Sequence, residues 1–221
     1  MFKKNPTSLR LTLRALGYLL SYPDAQLRSV MPQLVDALRS EGALTSERMS
    51  EIEAVCQHLA ALDPLEVEAR YVDNFDRGRQ TSLHLFEHVH GDSRDRGPAL
   101  IDLLQTYEKA GLQFEADELP DHLPVVLEFA STLAPEACCD FIGEFAHILN
   151  SVHDALEGRQ SSYAQAVAAV LELGGQALVA QLPVAGGQVC VSGTPVGQPE
   201  AALIVMQGRL VGSSPQAAIE V

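Results

Sequence analysis

EACCDFIGEFAHILNSVHDALE, residues 136–157, decides the fold class. Phe141, Phe145, Ile148, Leu149 and Val152 recur at steps of three and four, the spacing that places apolar side chains on one face of an α-helix. The stretch therefore reads as one helix with that face buried. The same spacing marks helices over 124–133 and 162–173, and Leu9, Leu13, Leu16 and Leu20 form the buried face of a first helix. No window before residue 175 alternates as a half-buried strand does. The body is expected to be all-α.

Prolines, glycines and capping residues punctuate this pattern. Pro23-Asp24 opens a second helix, which Pro32 is expected to kink or divide and Gly42 to end. Thr45 or Ser46 opens a third. Asp63-Pro64 supplies an N-cap and a proline at the first helical position, launching a helix through Leu65, Val72 and Phe75 toward the Asp76-Arg77-Gly78 break. Gly97-Pro98 starts another, with Leu100, Ile101, Leu103, Leu104 and Tyr107 as its core stripe and Gly111 as its cap; a loop follows over 112–123. The result is a single-domain bundle of roughly eight or nine helices over residues 1–173. From Gly174 the composition changes, since eight of the sixteen glycines and four of the twelve prolines fall in 174–221, with only Glu200, Arg209 and Glu220 charged. This Gly/Pro-rich C-terminal tail is expected to be mobile, with short strands at 188–191 and 202–206 as the alternative. Its Gly-Gly pairs lack the flanking strand, helix and lysine of a phosphate loop.

At 221 residues and 47% apolar content the chain is long enough for one domain with a sizeable core. The formal net charge of −14 disfavours nucleic acid and anionic membrane surfaces and favours a basic partner segment. Nearly all of it lies on the helical part, where residues 1–173 carry 14 basic and 27 acidic side chains. Arg10 and Arg14 interrupt the apolar run of the opening MFKKNPTSLRLTLRALGYLL and no small-residue cleavage site follows, so neither a signal peptide nor a membrane span is expected. Cys56, Cys138, Cys139 and Cys190 show no C-x-x-C spacing, which points to reduced thiols and a cytoplasmic location.

Residues 71–97, YVDNFDRGRQTSLHLFEHVHGDSRDRG, concentrate the chemistry. His84-Leu85-Phe86-Glu87-His88 spells H-x-x-E-H, the pattern of one zinc metallopeptidase class. With Thr81 or Ser82 as cap and Gly91 as end, a short helix would place His84, Glu87 and His88 on one polar stripe opposite Leu83, Leu85, Phe86 and Val89. His90 falls beside Phe86, away from His88. Two histidines at i, i+4 can bind zinc, but a catalytic site needs a third protein ligand and an open position, and the sequence names no third ligand. A solvated helix face accounts for the same letters. Asp76-Arg77-Gly78-Arg79 and Asp92-Ser93-Arg94-Asp95-Arg96-Gly97 bracket this helix. They either lock two loops together by Asp–Arg pairs, which would need partial burial to matter, or contact a ligand. Further on, in Glu118-Leu119-Pro120-Asp121-His122, Asp121 is expected to cap the following helix and His122 to fix the loop. A loop so held can also wall a groove.

Residues 71–97, followed by Ala99 to Leu104, closely resemble the NarJ family of nitrate reductase assembly chaperones. The block Glu118-Leu119-Pro120-Asp121-His122-Leu123-Pro124 resembles the E-x-P-D-H element of the wider superfamily of molybdoenzyme chaperones, which includes the TorD and DmsD groups. LRALGYLLSYPD is similar to the family's first helix and its exit turn, so the resemblance runs from about Leu9 to about Leu173. Asn74 departs from it, standing where the superfamily usually has a leucine before the aromatic, which bears on local packing.

The resemblance implies a TorD/NarJ-like helical fold. It also implies a cytoplasmic, system-specific chaperone, active in nitrate assimilation, that binds the unfolded or immature catalytic subunit of respiratory nitrate reductase for molybdenum cofactor insertion and assembly. Such a protein is not an enzyme and holds no cofactor or metal of its own. Its implied partners are the apo catalytic subunit, through its N-terminal segment, and molybdenum cofactor biosynthesis proteins. The client segment would occupy a groove near 84–90 and 118–123. Candidate client-binding residues are Asp76, Arg77, Arg79, His84, Glu87, His88, His90, Asp92, Arg94, Arg96, Pro120, Asp121 and His122. The alternatives are a helical interaction scaffold without a maturation role and a zinc hydrolase built on His84, Glu87 and His88.

Overall fold

Leu9, Leu13, Leu16 and Leu20 are all buried, as their spacing predicts, where α1 (Arg10–Leu19) packs against α2 (Ala25–Glu41) and α7 (Leu123–Ala130). Each such leucine contributes about 2 kcal/mol by leaving water. The computed structural model describes residues 8–114, 118–175 and 210–212. Within these residues the chain is almost wholly helical.

Local capping follows the sequence closely in the first half. Asp24 accepts the Leu27 N–H at 2.8 Å to start α2, and Gly42, at φ +63°, supplies the left-handed residue that ends it. Pro32 neither divides nor ends this helix; it lies exposed on it. Thr45 caps α3 (Ser46–Ala61), and Asp63 with Pro64 starts α4 (Pro64–Phe75). The start of α1 is capped from a distance, since Glu41 at the end of α2 accepts the Leu11 and Thr12 N–H groups at 3.1 and 2.6 Å.

The stretch 136–157 is a correction. It forms two helices, α8 (Pro135–Glu144) and α9 (Ala146–Gly158), broken at Phe145. Phe145 leaves the helical ladder through an N–H bond to the Ile142 carbonyl, yet it remains 1% exposed, packed on Phe141 and Phe86. Because the buried face continues across the bend, apolar periodicity carries no trace of it. Partly for this reason the described residues form ten α-helices rather than eight or nine. α10 (Ala164–Leu173) is apolar on nearly every side and sits centrally against α1, α3, α8 and α9. Its Glu172 reaches α3, accepting the Thr45 N–H at 3.2 Å and pairing with Arg48 at 3.5 Å.

A 3-10 turn (Arg79–Thr81) leads to α5 (Leu85–His90) and then α6 (Arg96–Lys109). In α6 the buried side chains are Leu103 and Tyr107; Ile101, expected in the core, is 55% exposed. Gly111 follows at φ +81° as the expected cap. The loop expected over 112–123 begins instead as strand β1 (Leu112–Phe114), paired antiparallel with β2 (Leu210–Gly212). The strands expected at 188–191 and 202–206 and Cys190 lie outside the described residues, as does most of the tail expected to be mobile; its residues 210–212 are those of β2. Cys56 and Cys138 are buried free thiols whose pKa values burial pushes up to about 11 and about 12, so both are held protonated. No helix among the described residues is long and apolar enough to cross a membrane.

Candidate functional site

The two sequence blocks meet. Backbone N–H groups of Leu123 and Leu85 donate to the carbonyls of Leu83 and Asp121 at 2.8 and 3.0 Å, an antiparallel bridge that sets His84 opposite His122. Their rings lie 5.0 Å apart and tilted by 31°. α5 begins at Leu85, with neither Thr81 nor Ser82 capping it: the Thr81 hydroxyl donates to the Asn74 carbonyl and the Ser82 hydroxyl to Glu87. The cap comes from the other block. Asp121 takes the Phe86 N–H on its carboxylate at 3.0 Å, so it caps α5 and not the helix that follows it in sequence.

Asp121 is fully buried, and a buried carboxylate needs compensation. Besides the backbone donor, Arg96 Nη2 lies 3.7 Å and His84 Nδ1 3.6 Å from its oxygens. The facing Asp121 carboxylate raises the His84 pKa, against desolvation, with Glu118 adding and Arg96 opposing. Burial, with the His84 charge behind it, lowers the His122 pKa to about 4. Two neighbouring imidazoles are thereby separated in function: His84 is the one that takes up a proton, and His122 stays neutral.

In front of this pair opens a cleft of about 620 Å³ between the end of α1, the start of α2, the end of α4 and the 118–128 segment. Tyr18 and Tyr22 supply aromatic surface, with the buried Tyr71, Leu27 and Val125 beneath them. Asp24, Asp76, Glu118 and Glu128 supply four carboxylates, of which Glu128 lies 3.7 Å from Arg14 Nη2. No lysine or arginine is among the described residues that line it. Such a cleft suits a cationic segment with an apolar side.

Of the thirteen candidates, Asp76, His84 and His122 face the cleft, while Pro120, Asp121 and Arg96 form the wall behind it. The Pro120 carbonyl is fixed by the Tyr107 hydroxyl at 2.8 Å. Glu87 and His88 are turned to Ser82, His88 Nε2 lying 2.8 Å from its carbonyl. His90 packs edge-on against Phe86 at 5.9 Å as expected, and Val89, expected on the apolar side, is 37% exposed. The brackets are joined by an Arg79–Asp92 pair, but it is exposed, as is the Arg77–Asp73 pair, and Arg94 is exposed as well. Sequence reasoning missed Tyr18, Tyr22, Asp24 and Glu128. LRALGYLLSYPD reads as a helix and its exit turn, with no pattern that marks its tyrosines as cleft residues.

His84, Glu87 and His88 do not converge, and among the described residues no three His, Cys, Asp or Glu side chains are placed to hold a metal ion. Fold and site thus define a helical binding protein with an acidic cleft. The sequence profile described as nitrate reductase delta subunit matches residues 24–169, and the chain belongs to that family. It is 41% identical over 160 residues to the nitrate reductase molybdenum cofactor assembly chaperone NarJ of Escherichia coli K12, covering 72% of this chain and 68% of that one. The probable chaperone NarW of the same organism is 36% identical over 166 residues, covering 75% and 69%. The probable NarJ chaperone of Bacillus subtilis is 30% identical over 161 residues, covering 73% and 86%. The resemblance to the NarJ family is borne out.

Proposed function

We propose that this protein is a system-specific chaperone that binds the immature catalytic subunit of respiratory nitrate reductase and holds it ready for molybdenum cofactor insertion and assembly. The observation that carries the site is the cleft with four carboxylates and no lysine or arginine among its described lining residues, built where the two sequence blocks cross. The relatives named as molybdenum cofactor assembly chaperones support the role. The protein acts by binding and not by catalysis, in the cytoplasm. The client's N-terminal segment enters the cleft with its apolar side on the Tyr18 and Tyr22 rings and its basic side chains toward Asp76 and Glu118. His84 and His122 contact it directly, Asp121 and Arg96 hold the wall, and Arg77, Arg79, Asp92 and Arg94 meet the client, or a cofactor biosynthesis protein, outside the cleft.

Calorimetric titration with a peptide from the N-terminus of the catalytic subunit, beside capture of the full-length apo subunit, tests this. Both are expected to bind, and the mature, cofactor-loaded enzyme is expected not to. Equal binding of apo and mature enzyme would favour a scaffold without a maturation role, and failure of the apo subunit to bind would sink the chaperone reading.

A further inference from the structure

Tyr22 is 47% exposed at the mouth of the cleft, yet it is held from three sides. Its ring stands edge-to-face with Tyr71, centroids 5.6 Å apart at 81°. Its hydroxyl donates to Glu68 Oε2 at 3.2 Å. Glu68 Oε1 is paired with Arg28 Nη1 at 3.2 Å, and the same Nη1 donates to the Pro23 carbonyl at 2.6 Å. The buttress thus fixes both the phenol and the backbone next to it, drawing on α2 and α4. The phenol pKa lies above its ordinary value through partial desolvation, then the hydrogen bond and charge of Glu68, then the charge of Asp76, with the Arg28 charge opposing, which places two carboxylates and one guanidinium around the ring.

The half-buried Arg28–Glu68 pair ties the start of α2 to α4, but stability does not account for the tyrosine: its hydrogen bond to Glu68 is exposed and contributes little, and ordering the ring costs rotamer entropy. A ring ordered in advance of binding spares the ligand that cost. An aromatic face attracts cations, more strongly as water is displaced, and tyrosine is prominent among residues that dominate interfaces. With Glu68 paired to Arg28, the charge left to select the same sign is that of Asp76. Asp76 and Glu118 line the cleft with it, and no basic side chain among the described lining residues competes.

We propose that Tyr22 is the specificity anchor of the cleft: its ring, positioned by Glu68 and Tyr71, stacks against one lysine or arginine side chain of the incoming segment, whose charge is shared by Asp76. This rests on the cleft being the client site. Tyr22 contacts the ligand, and Glu68 is a positioning residue acting through it.

The test is calorimetric titration of the full chain, as wild type and as Tyr22→Leu, Tyr22→Phe, Glu68→Ala and the Tyr22→Leu/Glu68→Ala pair. The probes are the N-terminal peptide of the catalytic subunit and a set of peptides in which each lysine or arginine is replaced in turn by norleucine. Tyr22→Leu is expected to weaken the unmodified peptide roughly five- to thirty-fold, and Tyr22→Phe, which keeps the ring but loses the hydrogen bond to Glu68, to weaken it less, by about as much as Glu68→Ala. For one peptide position, the norleucine replacement abolishes the difference between wild type and Tyr22→Leu. Glu68→Ala weakens binding alone but adds nothing to Tyr22→Leu. Unchanged affinity in Tyr22→Leu, or an equal loss for every norleucine peptide, overturns the anchor while leaving the cleft reading intact. No binding by the wild type removes the cleft reading and the anchor with it.

Discussion

The carboxylate of Asp121 accepts the backbone N–H of Phe86 at 3.0 Å, so one sequence block caps the helix carried by the other. α5 has six residues, too few to persist alone in water. Its start is held by Asp121, which also supplies the carbonyl bonded by the Leu85 N–H. Asp121 therefore ties the start of α5, and the His84 ring before it, to the wall of the cleft.

Asp121→Ala removes that acceptor and leaves Arg96 without its carboxylate, an expected loss of about 2–3 kcal/mol; Asp121→Asn keeps an acceptor and loses about 1–2 kcal/mol. Urea denaturation followed by circular dichroism measures both. A wild-type midpoint for Asp121→Ala would show that the cap does not hold α5. Because Asp121 is wholly buried, any effect of its replacement on binding has to be separated from this loss.

The two histidines make opposite contributions to pH dependence. His84, raised in the folded state, adds stability that is present below its unfolded pKa of about 6.5 and is lost as pH rises through the folded value. His122, lowered to about 4, works the other way. Its contribution is present above its unfolded pKa and lost as pH falls toward 4, when the unfolded chain takes up a proton that the folded chain refuses; the loss approaches about 2–3 kcal/mol. Denaturation midpoints between pH 4 and 7.5 should fall less steeply for His122→Gln than for wild type. Parallel curves would refute the assignment.

Peptide affinity should decrease with added salt, leaving a salt-resistant part from the apolar surface of the cleft. The variant Asp76→Asn/Glu118→Gln should bind more weakly and with a shallower salt dependence, at about 0.3–1 kcal/mol per charge. A slope identical to wild type would place the electrostatic contact elsewhere on the acidic body.

Truncation after Gly175 should leave a cooperatively melting helical protein, since the buried core among the described residues runs from Leu9 to Leu173. The pairing of β1 with β2 would be lost, a small effect for three residue pairs. Thermal melting with a broadened transition or much reduced helix signal would mean that residues beyond 175 complete the core.

Elemental analysis of the purified protein should find no stoichiometric metal, because Glu87 and His88 are engaged by Ser82 and His84 faces Asp121. One zinc per chain, lost in His84→Ala, would restore the hydrolase reading.

What the sequence determined by itself was the helical body, through the three-and-four spacing of residues such as Leu13, Leu16 and Leu20, and the local caps at Asp24, Thr45 and Asp63, which act within a few residues of themselves. It also marked the two blocks around His84 and Asp121. Tertiary structure alone decided the bend at Phe145, where core contacts with Phe86 and Phe141 replace helical continuity, and the cap donated to α5 by Asp121 across 35 residues. The cleft was equally illegible in one dimension. Its carboxylates come from Asp24, Asp76, Glu118 and Glu128, each unremarkable in its own segment, and they become one acidic surface only when α1, α2, α4 and α7 converge, because charge acts through space and not along the chain.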